Sequence, residues 1–345
     1  MTKKKYTIKD IAQLAGVSKG TVDRVLHNRG KVSKTSLERV EKVLKETEYC
    51  PNPMARNLKK NMEYRVCVLF PDYNLDPYWT PAHKGIEVAL SEFRPFGITV
   101  EEYLYDPMNK CSFAKKSEEV LKTRPDALVM APLFHSESIV VVRTCKELMI
   151  RLALFNNYID EFDTENFIGQ DLYQTGQVGG GLIDKLTQNG AGIAVVHINE
   201  EWHMVQKELG FKDYFRKKGI KPERIITWNF DSSDCQIFKK EVNYFIENNP
   251  SVKAIFVTNS KAFLLADVLA ELNREIRIVG YDLLEQNVKH LQNGRIDFLL
   301  HQNPQRQAYL SVRYLTEHFL YGKRIPSSRM LPIDIITSEN SVFYF

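Results

Sequence analysis

Residues 7–44 read TIKDIAQLAGVSKGTVDRVLHNRGKVSKTSLERVEKVL, and this stretch decides the first fold in the chain. Ile8, Ile11, Ala12 and Ala15 recur at i, i+3, i+4 and i+7, so one face of a short helix is apolar. Gly16 can take the left-handed backbone that ends such a helix. Ser18 suits the cap of a second helix, which turns Val22, Val25 and Leu26 inward. Two helices joined by a glycine-containing turn on a basic segment predict a helix-turn-helix. The outward residues of the second helix are Lys19, Gly20, Thr21, Asp23 and Arg24, and this face would enter a DNA major groove. A third helix, capped by Ser33, would pack Leu37, Val40, Val43 and Leu44 beneath the other two.

Residues 49–58, YCPNPMARNL, follow. Asn52 before Pro53 reads as an N-cap with proline at the first helical position. The helix so predicted is only one or two turns long. Alone in water it would not hold, so it calls for a partner: its own copy in a dimer, DNA, or both.

The stretch TIKDIAQLAGVSKGTVDRVLHNRGKVSKTSLERV, followed by Y-x-PN-x-x-A-R-x-L, resembles the DNA-binding headpiece and hinge helix of the LacI/GalR (lactose-repressor) family. The commonest family pattern reads TVSRVLN; here Asp23 replaces the serine and His27 the asparagine. On the helix-turn-helix reading, Lys19, Gly20, Thr21 and Arg24 would reach base edges or nearby phosphates, Thr7, Thr21, Asn28 and Ser33 would contact phosphates, and Asp23 and His27 belong to the same DNA-binding set. The resemblance implies that Leu58 wedges between base pairs in the minor groove, with Arg56 and Lys59 on the adjacent backbone.

Charge is distributed unevenly. Residues 1–65 hold 16 Lys and Arg against 7 Asp and Glu, whereas the whole chain carries a net charge of only +4. A basic module on a mildly acidic body fits a phosphate-binding head attached to a body that avoids nucleic acid. At 345 residues the chain exceeds one ordinary core, and two or three domains are expected. No apolar h-region follows the basic N-terminus, and no apolar run approaches the ~18 residues that span a membrane, so a cytoplasmic protein is expected. Cys50, Cys67, Cys111, Cys145 and Cys235 show no metal-ligand spacing and read as reduced thiols. Neither metal nor cofactor is expected. There is no nucleophile elbow, P-loop, HExxH or phosphate-binding glycine fingerprint, so the chain does not read as an enzyme.

From Tyr64 onward apolar β-runs alternate with amphipathic helices, which argues for βαβ units and parallel sheets. The first set runs from Tyr64–Phe70 to Arg151–Phe155; the pattern restarts at Tyr173–Gln188 and continues to a last strand near Ile333–Thr337. Two doubly wound lobes accommodate that many strands. Gly176, Gly179, Gly180 and Gly181 fall inside a predicted helix, where a close helix–sheet approach would offset their cost. The fold class is therefore α/β: a small all-α helix-turn-helix headpiece followed by two doubly wound parallel-sheet lobes. This body resembles the type I periplasmic-binding-protein fold that completes LacI/GalR proteins. That resemblance implies three crossings between lobes, near Asp163–Asn166, His301–Pro304 and Leu331–Pro332. The expected division is 1–50 headpiece, 51–63 hinge, 64–163 with 302–331 first lobe, and 164–301 with 332–345 second lobe.

Ligands of open α/β sheets bind beyond the carboxyl ends of the strands. Residues predicted there are Asp76, Tyr78, Trp79, Asn156, Trp202, His203, Lys207, Asn259, Asp282 and Gln302. By resemblance, Asp76-Pro77-Tyr78-Trp79 aligns with an aromatic loop that stacks on sugar rings, Tyr281-Asp282 with a G-F/Y-D motif, and Gln302 with a ligand-contacting glutamine. Short polar groups of this kind suit a polyhydroxylated ligand, with Asp282 accepting two hydroxyls at once. Lys207 stands where the family usually has arginine, which admits a phosphorylated or acidic sugar.

These features together predict a homodimeric, sequence-specific DNA-binding repressor. Its near-palindromic duplex operator would be held more or less tightly as a sugar or sugar derivative binds between the lobes. Control by a protein partner is the alternative, and a cytoplasmic solute-binding sensor a more remote one.

Overall fold

The structure, a computed structural model, describes residues 6–26, 29–30, 32–47, 49, 62–159, 166–187, 191–199, 201–220 and 224–344. The expected hinge helix, together with His27, Asn28, Arg56, Leu58 and Lys59, lies outside the described residues. Two compact units divide the chain, Met1–Asn61 and Met62–Phe345.

In the first unit, α1 spans Ile8–Ala15, α2 Lys19–Leu26 and α3 Lys34–Glu46. Thr7 and Asp10 form a reciprocal capping box at the start of α1: the Asp10 N–H donates to the Thr7 hydroxyl, and the Thr7 N–H donates to the Asp10 carboxylate at 2.8 Å. Gly16 ends the helix at φ 63°, a left-handed backbone that spares a residue without Cβ the steric cost. Ser18 Oγ accepts from Thr21 N at 3.1 Å, and Ser33 Oγ from Ser36 N at 3.3 Å. Ile11, Ala12, Ala15, Val22, Val25 and Val40 close one small core, with Leu37, Val43 and Leu44 packed against it.

The second unit contains two six-stranded sheets. The first comprises β1 (Tyr64–Pro71), β2 (Ile98–Tyr105), β3 (Ala127–Met130), β4 (Arg151–Phe155), β5 (Phe167–Gly169) and β11 (Ser328–Met330), in the order β11-β5-β4-β3-β1-β2. The second comprises β6 (Gly192–Ile198), β7 (Ile225–Phe230), β8 (Val252–Val257), β9 (Arg277–Tyr281), β10 (Phe298–His301) and β12 (Asp334–Ile336), in the order β12-β10-β9-β8-β6-β7. Among the described residues every pairing is parallel except β10 with β12. β1 lies between β2 and β3, and β6 between β7 and β8, so each sheet has its topological switch point at its first strand. Ligands of such sheets bind in the crevice beyond those points.

The first crossing differs from the sequence expectation. Phe167–Gly169 pairs with β4 and β11, so the chain leaves the first sheet at Gln170–Asp171 rather than at 163–166. A strand of three residues carries too little alternation to be seen in sequence. The chain crosses back beyond His301, where the helix Pro304–Tyr321 packs on β4 and β5, and crosses again between Met330 and Asp334.

The glycine-rich helix Leu172–Leu186 packs on the helix Met204–Lys217 as well as on β8 and β9. A Cβ at Gly176 would strike the Lys207 carbonyl, and one at Gly210 the Tyr173 carbonyl. The two backbones therefore touch where they cross, and this contact fixes the helix that carries Lys207. Helix–helix approach accounts for these two glycines, and helix–sheet approach only for Gly179, whose Cβ would meet the Phe256 ring.

Candidate ligand-binding cleft and DNA-facing helix

Each strand that ends at the cleft delivers its next residues to it. After β1, Asp76 caps the short 3-10 helix Pro77–Trp79 by accepting from Tyr78 N at 3.1 Å. Burial raises the Asp76 carboxyl, against the pull of that N–H and of Lys261. The Tyr78 hydroxyl accepts from Asn156 Nδ2, and Asn156 follows β4 at φ 71°, a backbone that asparagine tolerates. Trp79 is 2% exposed, with its ring edge-on to Tyr78 and Phe155 in the first-lobe core. Such an enclosed ring has no face left for a sugar, which corrects the stacking role expected of it.

The second lobe supplies the opposite wall. Beyond β6 come Glu201, Trp202 and His203. The Trp202 ring meets His135, at the start of the first-lobe helix His135–Glu147, at 5.0 Å between centroids, so the lobes touch across the cleft. Burial pushes the Glu201 carboxyl up to about 7, although Lys261 and Lys207 oppose the rise and the side chain keeps 36% exposure. His203 is held neutral, well below its usual range, by burial and by Lys207. The Lys207 ammonium donates to the Thr258 carbonyl at 2.9 Å and lies 3.9 Å from the centre of the Tyr281 ring. Burial lowers it to about 8, while Asp282 and Glu201 pull it back up. Asn259 Nδ2 donates to the Ile198 carbonyl at 2.6 Å, joining the ends of β6 and β8.

Asp282 follows β9 at φ 63°. Its Oδ1 accepts from Gln302 N at 3.0 Å and its Oδ2 from Gln302 Nε2 at 2.7 Å. Both oxygens expected to hold ligand hydroxyls are thus already bonded within the protein, and Asp282 serves first to fix Gln302 at the second crossing. Asp76, Tyr78, Asn156, Trp202, His203, Lys207, Asn259, Asp282 and Gln302 come together around the cleft; Trp79 turns into the core. Glu201, Lys261, His135 and His301 were not singled out from sequence. Glu201 was within reach, since it directly precedes Trp202-His203 beyond the same strand.

On the headpiece, Lys19, Gly20 and Arg24 are exposed and Thr21 and Asp23 half-buried. Asp23 pairs with Arg29 at 3.7 Å, which offsets its negative charge on this helix. Thr7, Ser18 and Ser33 use their hydroxyls as helix caps.

A helix-turn-helix module on the same chain as a two-lobed body with a polar cleft defines a helix-turn-helix protein with a periplasmic-binding-protein-like domain. The chain belongs to the family described as periplasmic binding protein domain, matched over residues 66–324, and its residues 7–52 match the bacterial regulatory proteins of the lacI family. The HTH-type transcriptional repressor CytR of Escherichia coli K12 is 45% identical over 83 residues, 24% of either chain. The chain thus spans about a quarter of the length of the curated relatives it matches first. The ribose operon repressor of Lactococcus lactis is 23% identical over 286 residues, 81% of this chain and 82% of that one. A chain from Bacteroides fragilis, described as a LacI transcriptional regulator, superposes with a TM-score of 0.75 at 26% identity, covering 82% of this chain and all of that one.

Proposed function

We propose that the chain is a sequence-specific DNA-binding transcriptional repressor. Its hold on a near-palindromic operator changes when a small polyhydroxylated ligand, a sugar or sugar derivative, binds between the lobes. One observation carries this reading: a helix-turn-helix with Lys19, Gly20 and Arg24 exposed stands on the same chain as a cleft built at two opposed switch points. The protein acts as a homodimer, because two headpieces are needed to read two half-sites, and it works in the cytoplasm, where its DNA is. Among the described residues no helix is long and apolar enough to cross a membrane. Residues 62–169 with 304–330 form the first lobe, and 172–301 with 334–336 the second.

Lys19, Gly20, Thr21 and Arg24 read the duplex, Asn28, Arg56, Leu58 and Lys59 take the roles expected of them from the sequence, and His27 belongs to the same DNA-facing set. Ligand binding alters the relation of the lobes and so the spacing of the headpieces. Such coupling is typically about 1–3 kcal/mol and is reciprocal between DNA and ligand. The test is selection of duplexes from a random pool by the full-length protein, followed by fluorescence anisotropy with and without sugars. The expected result is one enriched pseudo-palindrome whose affinity shifts with a sugar. Failure of any duplex to outcompete random DNA at moderate salt would refute the reading.

A further inference from the structure

Charge in the cleft narrows the ligand. Carboxylates enter from three segments: Asp76 beyond β1, Glu201 beyond β6 and Asp282 beyond β9. Two lysines face them. The Lys207 ammonium is directed at the Thr258 carbonyl and the Tyr281 ring and is offset by Asp282. Lys261 is shared among Asp76, Glu201 and Asp231. Among the described residues, acidic groups therefore outnumber basic ones. Titratable groups beside them are the Tyr78 hydroxyl and three imidazoles: His203, His135 against Trp202, and His301, whose Nδ1 is 3.7 Å from Asp282.

An independent feature points the same way. His203 Nδ1, on a ring nine-tenths buried, has no hydrogen-bond partner and stands 3.5 Å from Glu201 Oε2. When Nδ1 is the bare nitrogen of the neutral ring and Glu201 is ionised, two acceptors face each other with no protein donor between them. The Trp202 indole N–H beside them is likewise buried without a partner. The buried Nδ1 is costly to leave without a donor, and a ligand N–H⁺ would satisfy it and the Glu201 carboxylate at once.

We infer that the cleft takes a hydroxylated ligand bearing one ammonium group, an amino sugar or close analogue, which sits between Glu201, His203 and Asp76. This rests on the proposed role of the cleft as the ligand site. A phosphate or uronate would instead meet the surplus of carboxylates, so the acidic sugar admitted by Lys207 in the sequence is disfavoured by what surrounds that lysine. Because the Glu201 carboxyl titrates near 7, binding an ammonium drives off its proton. Affinity for the amine should therefore fall as pH drops from 7.5 to 6.

The experiment is isothermal titration and thermal shift of the full-length protein with matched hexoses: D-glucosamine and D-galactosamine against D-glucose, D-galactose, D-glucuronate and D-glucose 6-phosphate. At least one amine should bind about tenfold tighter than its neutral parent, the ratio one charge-assisted hydrogen bond supplies. Its affinity should weaken at pH 6. Glu201→Gln should bring amine and parent to equal affinity. A neutral or acidic member that binds as well as or better than its amine partner overturns the inference but leaves the cleft as a ligand site. A panel in which no member binds overturns the inference, and with it the reading of this cleft as a sugar site.

Discussion

The side-chain amide of Gln170 donates to the main-chain carbonyl of Pro332 at 2.6 Å. The same nitrogen also donates to the carbonyl of His301 at 3.0 Å. Gln170, His301 and Pro332 stand at the three different places where the chain passes between sheets. One buried amide thus ties all three crossings, and any movement of one lobe against the other must carry them together or break these bonds.

Gln170→Leu keeps the bulk and removes both donors, leaving two carbonyls short of a partner. The body should lose about 1–3 kcal/mol. Trp79, Trp202 and Trp228 are the only tryptophans and all lie in the body, so urea unfolding followed by their fluorescence reads this unit alone. An unchanged midpoint would mean that the crossings do not depend on the amide.

Two substitutions at Asp282 should differ sharply. Asparagine tolerates the left-handed backbone, and Gln302 can turn its amide to match, so Asp282→Asn should cost less than about 1 kcal/mol. Asp282→Ala removes both acceptors and places an alanine at φ 63°, for a loss of about 2–5 kcal/mol. Thermal melts of the two variants side by side provide the check, and equal melting temperatures would count against a bonding role for the carboxylate.

Arg24→Ala should weaken the selected duplex by about 1–3 kcal/mol if the side chain reads a base. Circular dichroism should not change, because Arg24 is exposed and the core beneath it comes from Val22 and Val25. Loss of affinity that is uniform over all sequences would place the guanidinium on phosphate instead.

Glu208 is one group through which stability should fall in acid. The hydrogen bond from His197 at 2.8 Å, with Lys212 and Thr227 beyond it, holds the Glu208 carboxyl down at about 2. The folded value lies below the unfolded one, so this stabilisation is complete above the ordinary glutamate range and is lost as pH falls through about 2. Glu208 is largely enclosed, and the effect should reach roughly 3 kcal/mol at most. Glu208→Gln should be less stable at pH 7 and show a flatter profile below pH 5 in urea titrations. Parallel profiles would assign the acid sensitivity elsewhere.

The sequence made some of this visible and hid the rest for physical reasons. The headpiece was legible residue by residue, because its caps Thr7, Ser18 and Ser33 and its apolar spacing are local properties. The long strands and helices of the body were legible through alternation. Three-residue β5 and β11 were not, since their place depends on partners far along the chain. Strand ends predicted which residues arrive at the cleft but not where their side chains are spent. Asp282 and Gln302 bond each other, Trp79 enters the core, and Lys207 serves a carbonyl and a ring. Glu201 was within reach as the residue before Trp202-His203, but its raised carboxyl comes from burial, which sequence alone does not display.

The triple weave has a bearing on how the molecule is made. The helix Pro304–Tyr321 packs on the first sheet, β11 edges that sheet and β12 edges the second, yet all three lie beyond residue 303. On a ribosome adding about 5–20 residues per second, the open edge at β5 waits on the order of ten seconds or more for β11, and the edge at β10 a few seconds for β12. Nascent chains of this protein should therefore be clients of chaperones until β11 and β12 have emerged, whereas the small headpiece, whose contacts are all nearby in sequence, can be finished while the rest is still being synthesised.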